Sequence, residues 1–230
     1  MLDSNALTHL HWMEQDLLPW LSNLMPTRRS RPNRSLRILR LYTSDLTKLA
    51  NLPDTLVTLG LVGTGLEKLQ GLPDELPDLQ SLNLEDNDRL TSLTDLPDEL
   101  PSLRSLSLAG IESLKGLPDE LSGLRSLRLA DNFSLTSLVG LPGELPRLQS
   151  LSLAGNFNLT SLASQPGELP RLQSLRLEGT NLTSLTGLPG DLSSLQSLSL
   201  SGIESLKGLP RDLSNLQSLS RVPVLSRGFE

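Results

Sequence analysis

The stretch LQSLSLAGNFNLTSL, residues 148–162, holds the pattern from which the fold of this chain is predicted. Within residues 150–154, leucine alternates with small or polar residues, and this period of two is typical of a strand with one buried face. Gly155-Asn156 follows as a turn pair, and Leu159 and Leu162 provide a second apolar set. The stretch therefore predicts a short strand, a turn and a return path that share a leucine interior.

The motif L-x-x-L-x-L recurs along the chain at intervals of 20 to 24 residues. Periods in this range are typical of leucine-rich repeats and do not fit ankyrin, tetratricopeptide or propeller repeats. Because every pass of the chain returns in the same direction, stacked copies predict a parallel sheet. A broken ninth copy begins at Leu216, and the eight close copies begin at Leu36, Leu56, Leu79, Leu103, Leu124, Leu148, Leu172 and Leu195.

A proline-rich segment closes most copies, as LPDEL at 72–76, 96–100 and 117–121 and as LPGEL at 141–145. Proline fixes φ and removes a backbone donor, so these segments favour extended or short 3₁₀ pieces over a long α-helix. The predicted fold class is an α/β solenoid, a curved leucine-rich-repeat horseshoe. We expect a parallel β-sheet on the concave face, a Pro-rich extended or 3₁₀ convex side and a helical N-terminal cap.

Polar residues recur at the eighth residue after the first leucine of a copy. An asparagine there can turn inward and bond the backbone of adjacent coils, which leucine cannot do. In two short copies the turn contains Ile111 and Ile203, which are predicted to interrupt this polar ladder. The asparagines are Asn87, Asn132 and Asn156, with the weaker substitutes Ser44, Thr64 and Thr180.

Two phenylalanines, Phe133 and Phe157, occupy equivalent turn positions in adjacent copies. Aromatic rings at such a spacing are predicted to stack. We expect them to fill the turn, with an exposed aromatic contact as the alternative.

The sequence predicts four segments. Residues 1–26 are expected to form the helical N-terminal cap, because their leucines approximate one helical face. Residues 27–35 are expected to be a basic linker, 36–220 the repeat domain with about eight to nine repeats, and 221–230 a C-terminal tail. The tail contains too little to cover the last coil, so that coil is frayed, covered by a partner or followed by more chain.

The composition excludes more chemistry than it suggests. The chain has 230 residues, and 62 of them are leucine. It contains no cysteine and two histidines, which excludes thiolate chemistry and leaves too few histidines for a multi-histidine metal centre. We expect no cofactor. A net charge of −6 argues against nucleic-acid binding, although seven basic residues lie within 28–48. The sequence contains no apolar run long enough for a membrane span and no ordinary secretory signal.

Acidic pairs recur in the proline-rich segments, at 74–75, 98–99 and 119–120. They could act as general acid and base, but their regular repetition on an outer rim is typical of a solvated face. The sequence also contains no glycine-rich phosphate loop. We therefore predict a non-enzymatic chain.

Large polar side chains on the outward strand positions are the candidate binding residues. The first outward column is almost entirely serine, while the next two vary against a background of small residues. Arginine and tyrosine are typical interface anchors. We predict partner contacts at Arg40, Tyr42, Asn83, Glu85, Arg128, Arg176 and Glu178, with ordinary solvated strand residues as the alternative.

The L-x-x-L-x-L strands, the LP-x-x-L closure and an N-terminal cap together resemble the leucine-rich-repeat effectors of pathogenic bacteria, typified by YopM, IpaH, PopC and XopL. The resemblance implies type III secretion without a Sec signal into the host cell cytoplasm or nucleus, and binding of host proteins on the concave face. Copies here are mostly longer than the 20-residue copies of that family, and the repeats also look like those of plant immune receptors. An IpaH-like ligase would need a catalytic cysteine, which this sequence lacks.

We therefore predict a protein-binding scaffold, monomeric, working as a virulence effector. The first alternative is the substrate-recognition fragment of a larger ubiquitin-ligase effector or immune receptor. The second is a repeat protein that self-associates through its C-terminal coil.

Overall fold

The structure is a computed structural model that describes residues 9–12, 36–42, 46, 49, 52–111, 117–119, 121–162, 167–185, 188, 192–203, 206 and 213–220. These residues form one ten-stranded sheet in which each strand pairs in parallel with the next strand of the sequence. The strands are β1 (His9–Trp12), β2 (Ile38–Tyr42), β3 (Thr58–Val62), β4 (Ser81–Asn83), β5 (Ser105–Ser107), β6 (Ser126–Arg128), β7 (Ser150–Ser152), β8 (Ser174–Arg176), β9 (Ser197–Ser199) and β10 (Ser218–Ser220). The predicted parallel sheet and leucine-rich-repeat solenoid are confirmed.

Equivalent leucines of successive strands lie opposite one another. Leu82 pairs with Leu106, which pairs with Leu127, and each is at most 2% exposed. Since side chains alternate across a strand, this register sends every motif leucine to the same side. The result is one continuous interior of buried leucines that runs through all the central coils.

Short turns bring each coil back to the sheet. The N–H of Leu79 donates to the carbonyl of Leu76 at 3.2 Å, and the N–H of Leu148 donates to that of Leu145 at 3.1 Å. The same turn, closed by a hydrogen bond to the carbonyl three residues earlier, ends at the other motif leucines from Leu103 to Leu216. Between turns the outer side is extended, as its prolines predicted, and no α-helix occurs among the described residues.

In the coils that carry β3 to β9, the eighth residue, counted from the first leucine of the motif, adopts a left-handed conformation. It is glycine in most coils and aspartate at Asp86 and Asp131, with φ of 59° and 58°. At Gly155, φ is 74°, and a Cβ atom there would clash with Oδ1 of Asp131 in the preceding coil. The left-handed backbone therefore favours glycine at position 155, and a larger residue there would also displace the side chain of Asp131.

The predicted polar ladder is present inside the turns. Asn156 is fully buried, and its amide donates to the carbonyls of Leu129 and Leu153 while its oxygen accepts from the N–H of Asn132. Asn132 in turn accepts from the N–H of Ile111. Ile111 has no side-chain acceptor, so the ladder restarts in the preceding coil, where the oxygen of Asn87 accepts from Thr64. The interruption predicted at Ile111 is confirmed.

At the N-terminus the structure differs from the predicted helical cap. Residues 9–12 form strand β1, in register with β2, so Leu10 lies beside Leu39 and Trp12 beside Leu41. The sequence HLHW alternates polar and apolar residues, and the open edge of a parallel sheet offers backbone groups that a further strand can pair. The rest of the predicted cap, the linker at 27–35 and the tail at 221–230 lie outside the described residues.

Candidate functional site

The outward side of the sheet carries all seven residues that the sequence singled out. Counting the first leucine of each copy as position 1, they occupy positions 5 and 7, on the face opposite the buried leucines. Because the strands are parallel and in register, each position forms a column across the concave face. Half of the residues in these two columns are serine, alanine or glycine, so the larger side chains stand above a background of small residues.

Three of the polar residues meet in one cluster that spans three coils. Oε1 of Glu85 accepts a hydrogen bond from Nε of Arg128 at 3.1 Å and from the hydroxyl of Ser107 at 2.5 Å. The arginine side chain is 43% exposed and the glutamate side chain 27% exposed. Arg128 thus reaches back across the strand that carries Ser107 and forms a clamp on Glu85, which we call the Glu85–Arg128 clamp.

Neighbouring groups hold the clamp in place. Oδ1 of Asn83 accepts from the N–H of Glu85 at 2.9 Å, which fixes the backbone that carries the carboxylate. On the other side, NH2 of Arg128 lies 3.7 Å from a carboxylate oxygen of Asp131. Asn83 was a predicted partner contact, and the structure shows that its oxygen is engaged within the chain.

Arg176 and Glu178, the second group of predicted residues, form no ion pair like that of Glu85 and Arg128 with other described residues. Arg176 is exposed and makes no ion pair with another described residue. Glu178 is half-buried, and its Oε2 atom is shielded from solvent without a hydrogen-bond partner among the described residues. Ser152, which pairs with Arg176 across the sheet, is 8% exposed. Its hydroxyl is also shielded from solvent and has no hydrogen-bond partner among the described residues.

The remaining two residues lie near the N-terminal end of the sheet. The side chain of Arg40 passes over Gly60 of the next strand, where a Cβ atom would lie 3.2 Å from Cγ of the arginine. Tyr42 is 39% exposed at the end of β2. These two lie in a different coil from the Glu85–Arg128 clamp, in which the structure brings together Asn83, Glu85 and Arg128 of the seven.

Ser107, Asp131 and Ser152 belong to these groups but were not among the residues predicted from the sequence. Ser107 has a readable signal, because it occupies position 5 in the coil between Glu85 and Arg128. Asp131 lies three residues after Arg128 in the same coil, at the turn position with a left-handed backbone. No property of Ser152 in the sequence separates it from the other serines of its column.

The paired phenylalanines form a second surface feature, on the rim beside the sheet. Their rings are stacked, with centroids 5.7 Å apart and planes 6° apart, as predicted. Phe133 is 58% exposed and Phe157 54% exposed, so the expectation that they fill the turn is wrong. The turn interior is already occupied by the buried asparagines, which leaves the rings only the outer surface. The amides of Asn158 and Asn181 bond the carbonyls of Phe133 and Phe157 and fix the backbone there.

The acidic pairs of the outer segments are exposed where the structure describes them, as Asp74, Glu75, Asp98 and Glu99 show. Among the described residues, no group of three or more histidine, cysteine, aspartate or glutamate side chains is arranged to hold a metal ion. In the described parts of the chain, no helix has the length and apolar character needed to cross a membrane.

Comparisons with known proteins agree with this architecture. Residues 146–190 match the family model described as leucine rich repeats, two copies. The structure is similar to that of YopM from Yersinia enterocolitica WA-314, with a TM-score of 0.54 and 27% sequence identity. The alignment covers 94% of this chain and 47% of YopM, so the chain spans about half the length of that protein. The sequence matches no curated protein.

Proposed function

We propose that this leucine-rich-repeat chain, which is similar to YopM, is a non-enzymatic scaffold that binds a protein partner on its concave strand face. The observation that carries this proposal is the row of parallel strands whose outward columns hold arginine, tyrosine and glutamate above a background of small residues. A flat, rigid surface with a few large polar side chains suits protein recognition, because a few anchors dominate the binding energy. A leucine interior with exposed outer acids leaves little to position a reacting substrate.

The partner is proposed to be a host protein, and the chain a bacterial virulence effector. Two findings support this: the similarity to YopM and the resemblance of the repeat motifs to type III-secreted effectors. Delivery by that route would bring the protein into the host cell cytoplasm, with the nucleus as a further destination. The chain is proposed to act as a monomer, and light scattering over a range of concentrations would test this against self-association through the last coil.

A second candidate function is substrate recognition within a longer protein. This is favoured by the coverage, since YopM is about twice the length that this chain matches. Sequencing the complete transcript separates the two candidates: a ligase, kinase or nucleotide-binding domain in the same reading frame would support the second.

Capture of partners from host-cell lysate tests the proposed concave-face function. The variant combines Arg128→Glu and Arg176→Glu, and the matched control combines Arg147→Glu and Arg171→Glu, which change the charge equally on exposed residues of the turns that precede β7 and β8. We expect the first variant to lose the partners that the wild type and the control retain. An identical set of partners in all three would refute the assignment of the concave face.

A further inference from the structure

We propose that the contact centres on Arg176 and Glu178 and that the partner contributes an extended segment in which an acidic residue and an arginine are separated by one residue. This inference rests on the proposed function and names the partner chemistry of the same face. Its basis is a comparison of Glu178 with Glu85, the other glutamate in its column.

The Glu85–Arg128 clamp shows how this surface recognises a guanidinium. The glutamate occupies position 7 of its coil, the serine that donates to it occupies position 5 of the next coil, and the arginine occupies position 5 of the coil after that. The register places these positions side by side, because each coil advances the column by one strand. An arginine two coils further along therefore satisfies a glutamate in this column.

Glu178 occupies the same column as Glu85, but no arginine lies two coils further along. Position 5 of the next coil is Ser199, the equivalent of Ser107, and position 5 of the coil after that is Ser220, where the clamp has Arg128. Ser220 is exposed, and its hydroxyl bonds that of Ser201. Oε2 of Glu178 is shielded from solvent and has no hydrogen-bond partner among the described residues. A shielded carboxylate oxygen without a donor is costly, and an incoming guanidinium would relieve that cost.

Arg176 determines which second group the partner needs beside the guanidinium that binds Glu178. It lies two residues before Glu178 on the same outward face, which places the two about 7 Å apart along the strand direction. A partner that carried only a cation would be repelled by Arg176, whereas a carboxylate can form two parallel hydrogen bonds with it. In an extended partner segment, side chains two residues apart face the same way and are also about 7 Å apart. An acid and an arginine with one residue between them therefore match both groups at once.

The flanking residues leave room for such a segment. Position 5 is serine on both sides of Arg176, at Ser152 and Ser199, and position 7 is Ala154 before Glu178 and Ser201 after it. By contrast, the charges of the Glu85–Arg128 clamp already satisfy each other and gain little from a partner. The two glutamates thus share a column position, but among the described residues only Glu85 has an arginine partner within the chain.

Binding of a synthetic peptide tests the inference. The probe is a capped, fluorescently labelled peptide of serines that carries one glutamate and one arginine separated by a single serine. Two comparison peptides replace the arginine with citrulline, which has nearly the same shape without the charge, or place the two charged residues side by side. Fluorescence anisotropy gives the Kd. We expect both comparison peptides to bind at least tenfold more weakly than the probe.

Protein variants locate the site. Glu178→Gln should weaken probe binding at least tenfold, whereas Glu144→Gln, which removes the same charge from an exposed outer residue, should change it less than twofold. Ser220→Arg should also weaken it tenfold, because the new guanidinium would occupy Glu178 as Arg128 occupies Glu85. Circular dichroism checks that the variants are folded, and if Ser220→Arg fails to fold, Glu178→Gln decides alone.

The inference is overturned if the probe does not bind the wild type, if citrulline has no effect, or if Glu178→Gln binds as tightly as the wild type. Such a result is distinguishable from failure of the proposed function. In that case the double arginine variant would still lose its partners from lysate, so the concave face would remain the binding surface with a different centre.

Discussion

Replacing Asn156 with alanine tests whether the buried asparagines hold neighbouring coils together. The side chain is fully buried and makes three hydrogen bonds, of 2.6 to 2.9 Å, to the carbonyls of Leu129 and Leu153 and to the N–H of Asn132. Without it, the carbonyl of Leu129 keeps a bond from the amide of Asn132, at 2.9 Å. The N–H of Asn132 and the carbonyl of Leu153 each lose the hydrogen bond that they made with the Asn156 side chain.

A buried backbone group without a partner costs about 1–3 kcal/mol, so two such groups should lower the free energy of unfolding by about 2–6 kcal/mol. Urea unfolding followed by circular dichroism measures this change, as a lower midpoint. The control is Asn158→Ala, because that exposed side chain makes a single bond to the carbonyl of Phe133 and water can replace it. We expect the control to cost less than about 1 kcal/mol. Equal losses from both substitutions would refute the reasoning.

Double substitutions test the continuity of the ladder. Asn132 and Asn156 share a hydrogen bond, so their effects should be non-additive by about 0.5–3 kcal/mol. Asn87 belongs to the other part of the ladder, beyond Ile111, and its effect should add to that of Asn156 within about 0.5 kcal/mol. Strong coupling between Asn87 and Asn156 would show that Ile111 does not interrupt the network.

Three further substitutions should separate packing, backbone and charge effects in the same unfolding assay. Gly155→Ala and Gly63→Ala should each cost about 1–2 kcal/mol, because both glycines have positive φ. Gly155→Ala should cost more, because only there would the new Cβ atom meet a side chain of a neighbouring coil. Leu198→Ala should cost about 2–5 kcal/mol and Leu219→Ala under about 1 kcal/mol, because the first is 1% exposed and the second 46%. Arg128→Leu should cost under about 1 kcal/mol and lose that cost in high salt, because its ion pair is partly exposed; a larger loss would contradict the solvent screening assumed here.

The strands and their register could be predicted because each depends on a pattern within one copy. Alternation of leucine with small residues sets which face is buried, and repetition at nearly constant spacing sets which strands are neighbours. The buried role of Asn132 and Asn156 was predictable for the same reason, since a polar residue at a fixed turn position in a leucine interior must bond the backbone. Repetition makes one correct local inference valid for every coil.

Features that depend on long side chains or on the ends of the solenoid could not be predicted in the same way. The Glu85–Arg128 ion pair joins residues of different coils and depends on how far an arginine reaches over the intervening Ser107. The exposure of Phe133 and Phe157 depends on the turn interior being already occupied. At residues 9–12, an alternating pattern competed with a helical spacing of leucines over a longer segment, and the four residues are too few to decide from sequence alone.

The columns also explain why charges that look alike in the sequence have different partners within the chain. Glu85 and Glu178 occupy the same position of their coils, and each is followed by a serine in the next strand. They differ in the residue two positions earlier, asparagine against arginine, and in the residue two coils later, arginine against serine. Arg128 reaches Glu85 across the intervening strand, so whether a charge on this face is neutralised within the chain depends on the residues of three consecutive coils. In a repeat of this kind, binding specificity can therefore change by substitution in a coil that never touches the partner, provided that it adds or removes an internal counterion.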